Sequence, residues 1–494
     1  MRRIVAVDQG TTATKAYTLD EAGSFEAVCE LAHKQILPRR GWVEHDPEAL
    51  LANIRQAVAQ AQVGADAGLA AVGLDNQGET VVAWDARDGR PVCNAIVWQD
   101  TRTREAVARL KATGAEVETL ARAGLPLDAY FSAAKLRWIL DNVDAAKPLA
   151  RTGHLRLGTS DAFFLDRLTG TYATDVTTAS RTSLMNLETL AWDETLCDLF
   201  GVPGELLPEI RPTAGPFGEI ALDGDLNGVR LPLAANVVDQ QAALFGHGCH
   251  APGRAKITFG TGAFALAVTG PAPLSDPGSG LLPTVAWQIA GHATVYALDG
   301  GVYNAGAAID WLRGLGLFDD FAELESFDGA SALARGVVFV PALSGLGCPF
   351  WDRSAAGLWI GLGLDTKRTD LCRAVLEGIA LRSAQVVTAM DRLALVGDEV
   401  SIDGGVTRNG HFRRFLANAL GRTVTQPATP DVTSLGTAWF AMLGAGLVDD
   451  PAALPGGDGE ALRHAPQDPL PAALHARFAD AVARARGWWH DDAD

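Results

Sequence analysis

One short pattern occurs twice in this chain and constrains its architecture more than any other feature. An apolar run at 4–7 ends at Asp8-Gln-Gly-Thr-Thr12 and passes directly into a second apolar run at 13–19. Further on, Lys256-Ile-Thr-Phe-Gly-Thr-Gly262 leads in the same way into the apolar run 263–268. A strand that ends in a Gly-Thr turn and returns at once as another strand is a tight β-hairpin. A P-loop differs, because it runs from strand into helix and holds phosphate at the helix start. The turns here would hold an anion with hairpin amides and threonine hydroxyls. Each copy opens roughly one half of the chain, so the sequence predicts two related domains, 1–247 and 248–494. Two copies of one unit facing each other make a clamp, with a phosphate turn on either side of a cleft.

The remaining patterns alternate between strand and helix, which places the chain in the α/β class. Asp46-Pro47-Glu48 reads as an N-cap, a proline at the first helical position and an acid in the first turn. Leu50, Ile54, Ala57, Val58 and Ala61 then recur on one helix face. Short strands at 71–74 and 94–98 end in the polar loops Asp75-Asn-Gln-Gly-Glu79 and Gln99-Asp-Thr-Arg102. The second half predicts a helix over 303–315, a strand at 337–340 and a long helix from about Thr369. A strand at 400–402 ends at Asp403-Gly-Gly405, and helices start near Gly410 and Thr433. Loops leaving the ends of several core strands can converge on one site.

Charge and composition narrow the partners. The formal net charge of −18 argues against general affinity for nucleic acid or an anionic membrane. Asp8 interrupts the opening apolar run, and no stretch approaches the ~20 apolar residues of a membrane span. A cytoplasmic protein without membrane insertion is the expectation. The six cysteines are scattered with no CxxC pair, which suits a reducing compartment. His247-Gly-Cys249-His250 has no second ligand pair and reads as a loop cysteine between two surface histidines.

Phosphoryl transfer needs a phosphate cradle, a divalent metal and a carboxylate that takes the proton of the attacking hydroxyl. Asp8, at a buried strand end beside Gly10-Thr11-Thr12, is placed to orient Mg²⁺ through water. Asp239, between an apolar strand and a helical pattern, reads locally as a helix N-cap or as a chemical group, capping being the commoner use. Asp403-Gly404-Gly405 with Asn409 is a tight turn open to a nucleotide, or a plain strand–helix loop. Trp98, Tyr130 and Phe264 each read singly as core aromatics. Walker A, kinase HRD/DFG and GxSxG motifs do not occur.

Together these motifs resemble the FGGY carbohydrate kinases, and among them the glycerol kinases, over nearly the whole chain. Tyr130-Phe-Ser-Ala-Ala-Lys135-Leu-Arg-Trp138 looks like one family signature, and Gly357-Leu-Trp-Ile-Gly361-Leu through Glu377 like the other. Gly41-Trp-Val-Glu-His-Asp-Pro47, Asn94-Ala-Ile-Val-Trp-Gln99, Thr178-Ala-Ser-Arg-Thr182 and Asp239-Gln-Gln-Ala-Ala-Leu-Phe-Gly246 are similar to glycerol kinase segments. The resemblance implies two actin-like, ribonuclease-H-like ATPase domains facing a catalytic cleft. It implies transfer of phosphate from ATP, with Mg²⁺, to a terminal hydroxyl of a small polyol, glycerol to glycerol 3-phosphate first among the choices. Asp239 would be the base and Gln240 a substrate contact. Glu79 and Tyr130 would bond the polyol, and Trp98 and Phe264 would pack on its carbon face. Thr11, Thr12, Ala13, Lys15, Thr261, Gly306, Asp310, Gly405 and Asn409 would hold the nucleotide, and Asp8 would serve the metal. A homo-oligomer, dimer or tetramer, is a further implication.

Two positions depart from the pattern. Gly78 stands where glycerol kinases carry an arginine before the substrate glutamate. This removes a donor and leaves room for a longer polyol or a ketose such as erythritol, threitol or a xylulose-like sugar. Asp310 replaces a glutamine near the nucleotide. A non-catalytic actin-like ATPase would need both phosphate turns but has no use for Glu79, Trp98, Tyr130, Asp239 and Gln240 together.

Overall fold

The computed structural model describes residues 2–65, 68–394, 396–429, 431–456 and 460–489. Both copies of the hairpin lie at the centre of their own sheet. In the first, Arg3–Gln9 pairs antiparallel with Ala13–Asp20, which pairs with Phe25–Ala32. On the other side Leu69–Asn76 and then Arg230–Val238 run parallel to Arg3–Gln9, with Glu219–Ala221 at the edge. The second sheet repeats that order. Ala255–Phe259 pairs with Ala263–Gly270, which pairs with Val295–Val302, while Glu399–Asp403 and Thr423–Gln426 run parallel on the other side. Leu282–Trp287 and Leu462–His464 are its edges. The repeat read from two Gly-Thr turns is thus a repeat of a five-strand core.

The run Ile4–Val7 at the centre of the first sheet is apolar throughout because both its faces are covered. Successive side chains point to opposite faces. Val5 and Val7 therefore meet the helix Pro47–Val63 and Phe163 and Phe164 of the helix Ser160–Thr169. Ile4 and Ala6 face the other way, onto the helix Val432–Gly444. Asp46 caps Pro47–Val63 by accepting from the Glu48 amide, as its sequence predicts. The strand expected over 94–98 is only Ala95–Ile96. It joins a four-stranded sheet with Glu44–His45, Val81–Asp85 and Leu155–Thr159, and this small sheet holds Glu79 and Trp98 beside the first core.

Val432–Gly444 belongs to the second half by sequence but packs on the first sheet. It lies against the helix Asp239–Gly246, where Phe245 and Phe440 stack with ring centroids 4.1 Å apart. The two backbones nearly touch. A Cβ on Gly436 would lie 1.9 Å from the Ala242 carbonyl oxygen, and one on Gly246 2.1 Å from that of Val432. Leu266, Val268 and Trp287 of the second sheet complete the same core, which is therefore shared between the halves. Among the described residues no helix is long and apolar enough to cross a membrane.

Because backbone cannot yield as a side-chain tip can, Gly436→Ala is expected to cost about 1–3 kcal/mol. Thermal denaturation checks this against Gly314→Ala, where an added Cβ meets nothing within 4 Å. Equal midpoints for the two variants would contradict the close helix contact.

Candidate active site

Three carboxylates meet where three neighbouring parallel strands end. Asp8 is in register with Asp75, Asp75 with Val237, and Asn76 with Val238, one residue before Asp239. Carboxyl ends of parallel strands are where open α/β sheets bind ligands. Crowding and burial keep these acids from ionising at their usual pH. Desolvation and then the Asp431 charge push Asp8 up to about 6. Desolvation, then Asp8 and Glu79, push Asp239 up to about 7. Asp75 is driven well above the carboxylate range by desolvation and Asp8. Its Oδ2 accepts from Thr437 Oγ1 at 2.7 Å, while its Oδ1 is buried without a hydrogen-bond partner.

Asp239 does not cap its helix. It is the first helical residue, after Val238, and its Oδ1 accepts from the next amide, Gln240, at 2.6 Å. The buried Lys256 crosses from the second sheet and donates from Nζ to Gln240 Oε1 at 2.6 Å and to Thr258 Oγ1 at 2.9 Å. A lysine only donates, so this bond fixes which way the Gln240 amide lies and leaves its NH₂ for a ligand. The same positive charge favours the ionised form of Asp239.

Between the sheets lies a cavity of about 70 Å³. The structure brings Thr11, Glu79, Trp98, Tyr130, Asp239, Gln240 and Phe264 together on its wall. The Trp98 indole donates from Nε1 to Thr11 Oγ1 at 3.1 Å and meets the Tyr130 ring edge-on at 5.8 Å. Desolvation first, then Glu79, holds the Tyr130 phenol well above its ordinary ionisation, so it stays a neutral donor. Arg181 and Asp299 line the same cavity, and the residue-by-residue reading assigned neither a role. Arg181 lies within a quoted segment that carried no role, and Asp299 is an acid inside the otherwise apolar strand Val295–Val302, a costly placement that signals a partner.

Gly78 lies on the wall of this cavity, between Gln77 and Glu79. A Cβ there would lie 3.1 and 3.2 Å from the two Val238 methyls and 3.6 Å from Arg181 Cγ. A side chain at position 78 would press on Val238, and the guanidinium that lines this cavity is that of Arg181.

Of the residues expected at the nucleotide, Thr11, Thr12 and Ala13 form the first turn, closed by the Gly10 amide donating to the Ala13 carbonyl at 3.1 Å. Thr261 is exposed in the second turn, whose Gly260 carbonyl accepts from the Gly306 amide at 2.9 Å. A Cβ on Gly306 would sit 2.6 Å from that carbonyl oxygen, so the helix Gly306–Gly314 can start there only with glycine. Gly404, at φ 96, passes 2.2 Å from the Phe259 carbonyl oxygen measured from its would-be Cβ, and it leaves Gly405 facing free space. Asp310 is exposed on the same helix as Gly306. Two residues are engaged elsewhere. Lys15 donates to Asp431 at 3.0 Å, and the Asn409 amide caps the helix Gly410–Leu420 through Phe412 while donating to the Leu324 carbonyl at 2.7 Å.

Of the histidines beside Cys249, His247 is buried, contrary to the sequence reading, and His250 is half-buried. His247 has Nδ1 2.6 Å from Ser401 Oγ and Nε2 3.3 Å from Asp403, and His250 bonds the Phe245 carbonyl at 2.9 Å. Cys249 is buried between them, because this segment turns into the shared core and not out to solvent. Among the described residues no group of three or more His, Cys, Asp or Glu is arranged to hold a metal by itself.

Comparison with known proteins extends over both halves. The model for the N-terminal domain of the FGGY family of carbohydrate kinases matches residues 3–246, and that for the C-terminal domain residues 255–445. The chain is 43% identical over 460 residues to a glycerol kinase of Citrifermentans bemidjiense, covering 92% of each chain. It is also 43% identical over 497 residues to that of Thermus brockianus, covering 99% of each. The crystal structure of Plasmodium falciparum glycerol kinase with ADP superposes with a TM-score of 0.88 at 30% identity, covering 98% of each chain.

Proposed function

The chain belongs to the FGGY family of carbohydrate kinases and is an ATP-dependent phosphotransferase, and we propose that its acceptor is glycerol, phosphorylated at a terminal hydroxyl. The observation that carries this reading is the small cavity that has Asp239 on its wall. A cavity of about 70 Å³ with a carboxylate, an amide and a phenol on its wall suits a small polyol. Trp98 and Phe264 offer carbon surface, while Glu79, Gln240 and Asp239 offer hydrogen bonds, which suits a chain with C–H bonds on one side and hydroxyls on the other.

In this reading Asp239 accepts the proton of the attacking hydroxyl. The substrate oxygen bonds to the γ-phosphorus as the bond to the β,γ-bridging oxygen breaks, and ADP leaves with that electron pair. An ionisation near 7 suits a base, because a carboxylate of ordinary acidity would be too weak to take the proton. The Gln240 NH₂, oriented by Lys256, donates to the substrate oxygen. The Gly10–Ala13 turn on one sheet and the Gly260–Gly262 turn with Gly405 on the other supply the phosphate and nucleotide contacts.

Mg²⁺ fits the acidic end of this site. Burial holds Asp8 up to about 6 and the Asp8 charge helps to raise Asp239, so a cation here is a favourable counter-charge. A magnesium ion is usually held by one or two carboxylates with water and substrate phosphates, so no three-ligand protein cage is needed. Asp8 would hold it, and when bound it supplies positive charge to the transferring phosphate.

Asp239→Asn is expected to leave nucleotide binding intact and to lower kcat by ~10²–10⁴. Unchanged transfer, with binding followed by equilibrium titration, refutes the base. The pH profile gives a second test. Asp239 must be ionised to act, so kcat/KM is expected to fall about tenfold per unit as the pH drops below about 7. Lys256→Met removes a charge that favours the carboxylate, so the acidic limb moves to higher pH, by about 1 unit. A limb that stays put or moves down contradicts the assignment. The substrate itself is tested by ADP release across three- to six-carbon polyols and ketoses. A kcat/KM for any longer acceptor well above that for glycerol overturns the glycerol reading.

A further inference from the structure

On the cavity wall, two facing side chains each carry one buried polar atom without a hydrogen-bond partner, Arg181 Nη1 and Asp299 Oδ1. Arg181 Nη1 lies 3.1 Å from Asp299 Oδ2, an ion pair without hydrogen-bond alignment, and Nη1 has no acceptor. Asp299 Oδ1 has no donor. The side chains are 5% and 8% exposed, so bulk water does not meet this need. Buried polar atoms without partners are rare in folded proteins and ask for an explanation.

Arg181 is held firmly in this place. Its Nε donates to Glu79 Oε1 at 2.7 Å, and its guanidinium lies 5.6 and 6.0 Å from the Phe131 and Tyr130 rings. Its backbone follows a short helix pinned by Asp175, which accepts from the Thr177 and Thr178 amides and hydroxyls. Ser183, two residues on, is fixed at φ 64, a conformation serine adopts only where its surroundings enforce it. A Cβ on Gly78 would press on the Val238 methyls, and the guanidinium on this part of the cavity wall is that of Arg181.

A hydroxyl is the group that satisfies both atoms at once, because its oxygen accepts from a guanidinium while its proton goes to a carboxylate. The geometry points to Arg181 and Asp299 as the pair that reads a non-reacting hydroxyl of the polyol and so sets the specificity of the site. This rests on the polyol-kinase reading above and adds to it a specificity pair. A hydrogen or methyl in place of that hydroxyl leaves both groups buried and unpaired. Sites of this kind reject the deoxy analogue far more strongly than an apolar pocket rejects an extra methylene.

The test compares glycerol with 1,2-propanediol and 1,3-propanediol, each lacking one hydroxyl. The wild-type chain is expected to prefer glycerol in kcat/KM by about 10²–10⁴ over at least one of them. In Arg181→Met the loss should fall on glycerol and much less on that diol, so the preference shrinks to within about tenfold. Arg181→Lys, which keeps charge and donors, should recover part of the preference, and Asp299→Leu should behave as Arg181→Met does. A general structural defect would lower both substrates together and leave their ratio unmoved; that result in a variant with a wild-type thermal midpoint overturns the proposal. Should Arg181→Met not fold, the wild-type panel still decides, because equal turnover of glycerol and both diols is incompatible with the pair. Failure to phosphorylate any polyol would instead sink the polyol reading itself.

Discussion

The site depends on two helices that meet with no side chain between them. Gly436 against Ala242 and Gly246 against Val432 bring Val432–Gly444 and Asp239–Gly246 to backbone contact, and that contact fixes where Asp239 starts its helix. From the same helix Thr437 reaches Asp75, and its capping residue Asp431 reaches Lys15. A methyl group at either glycine would separate the acids from the residues that organise them. The shared core around Phe245, Phe440 and Trp287 then joins both sheets to this one contact.

Electrostatics follow from that packing. Acids at neighbouring strand ends cannot all ionise in a desolvated space, and the chain answers with cations drawn from elsewhere in the sequence. Lys15 meets Asp431, Lys256 reaches toward Asp239, and Arg181 meets Glu79 and Asp299. Each positive group is committed to a defined geometry, so a net charge of −18 coexists with a site suited to anionic ligands. Lys256 and Gln240 come from opposite halves, so relative motion of the sheets would change the surroundings of Asp239 directly.

Much of this was legible in the sequence. The duplicated strand–Gly-Thr–strand unit gave the two sheets, because an apolar run covered on both faces has few other uses. Asp46-Pro47 marked its helix start because capping is local chemistry. What failed was non-local. Asp239 looked like an N-cap because the residue type and position allow it, yet the helix begins at Asp239 itself. His247 looked exposed, since nothing nearby in sequence says that its segment turns into the shared core. Gly78 borders the cavity, and nothing local says that its neighbours there are Val238 and Arg181, more than a hundred residues away. The protein partners of Asn409 and Lys15, Leu324 and Asp431, lie on distant segments and could not be read locally.

The helix Val432–Gly444 also has a bearing on how the chain is made. One face of the first sheet, with Ile4, Ala6, Ala71 and Ala234, is closed by Leu435, Ala438 and Met442. During synthesis the sheet strands emerge long before that helix. At ~5–20 residues per second the delay is roughly 10–40 s. For that time the nascent sheet carries an uncovered apolar surface, and the first half can reach its final packing only when the second is nearly complete. The chain is two domains by architecture, but by its order of assembly it is one cooperative object that closes from its far end.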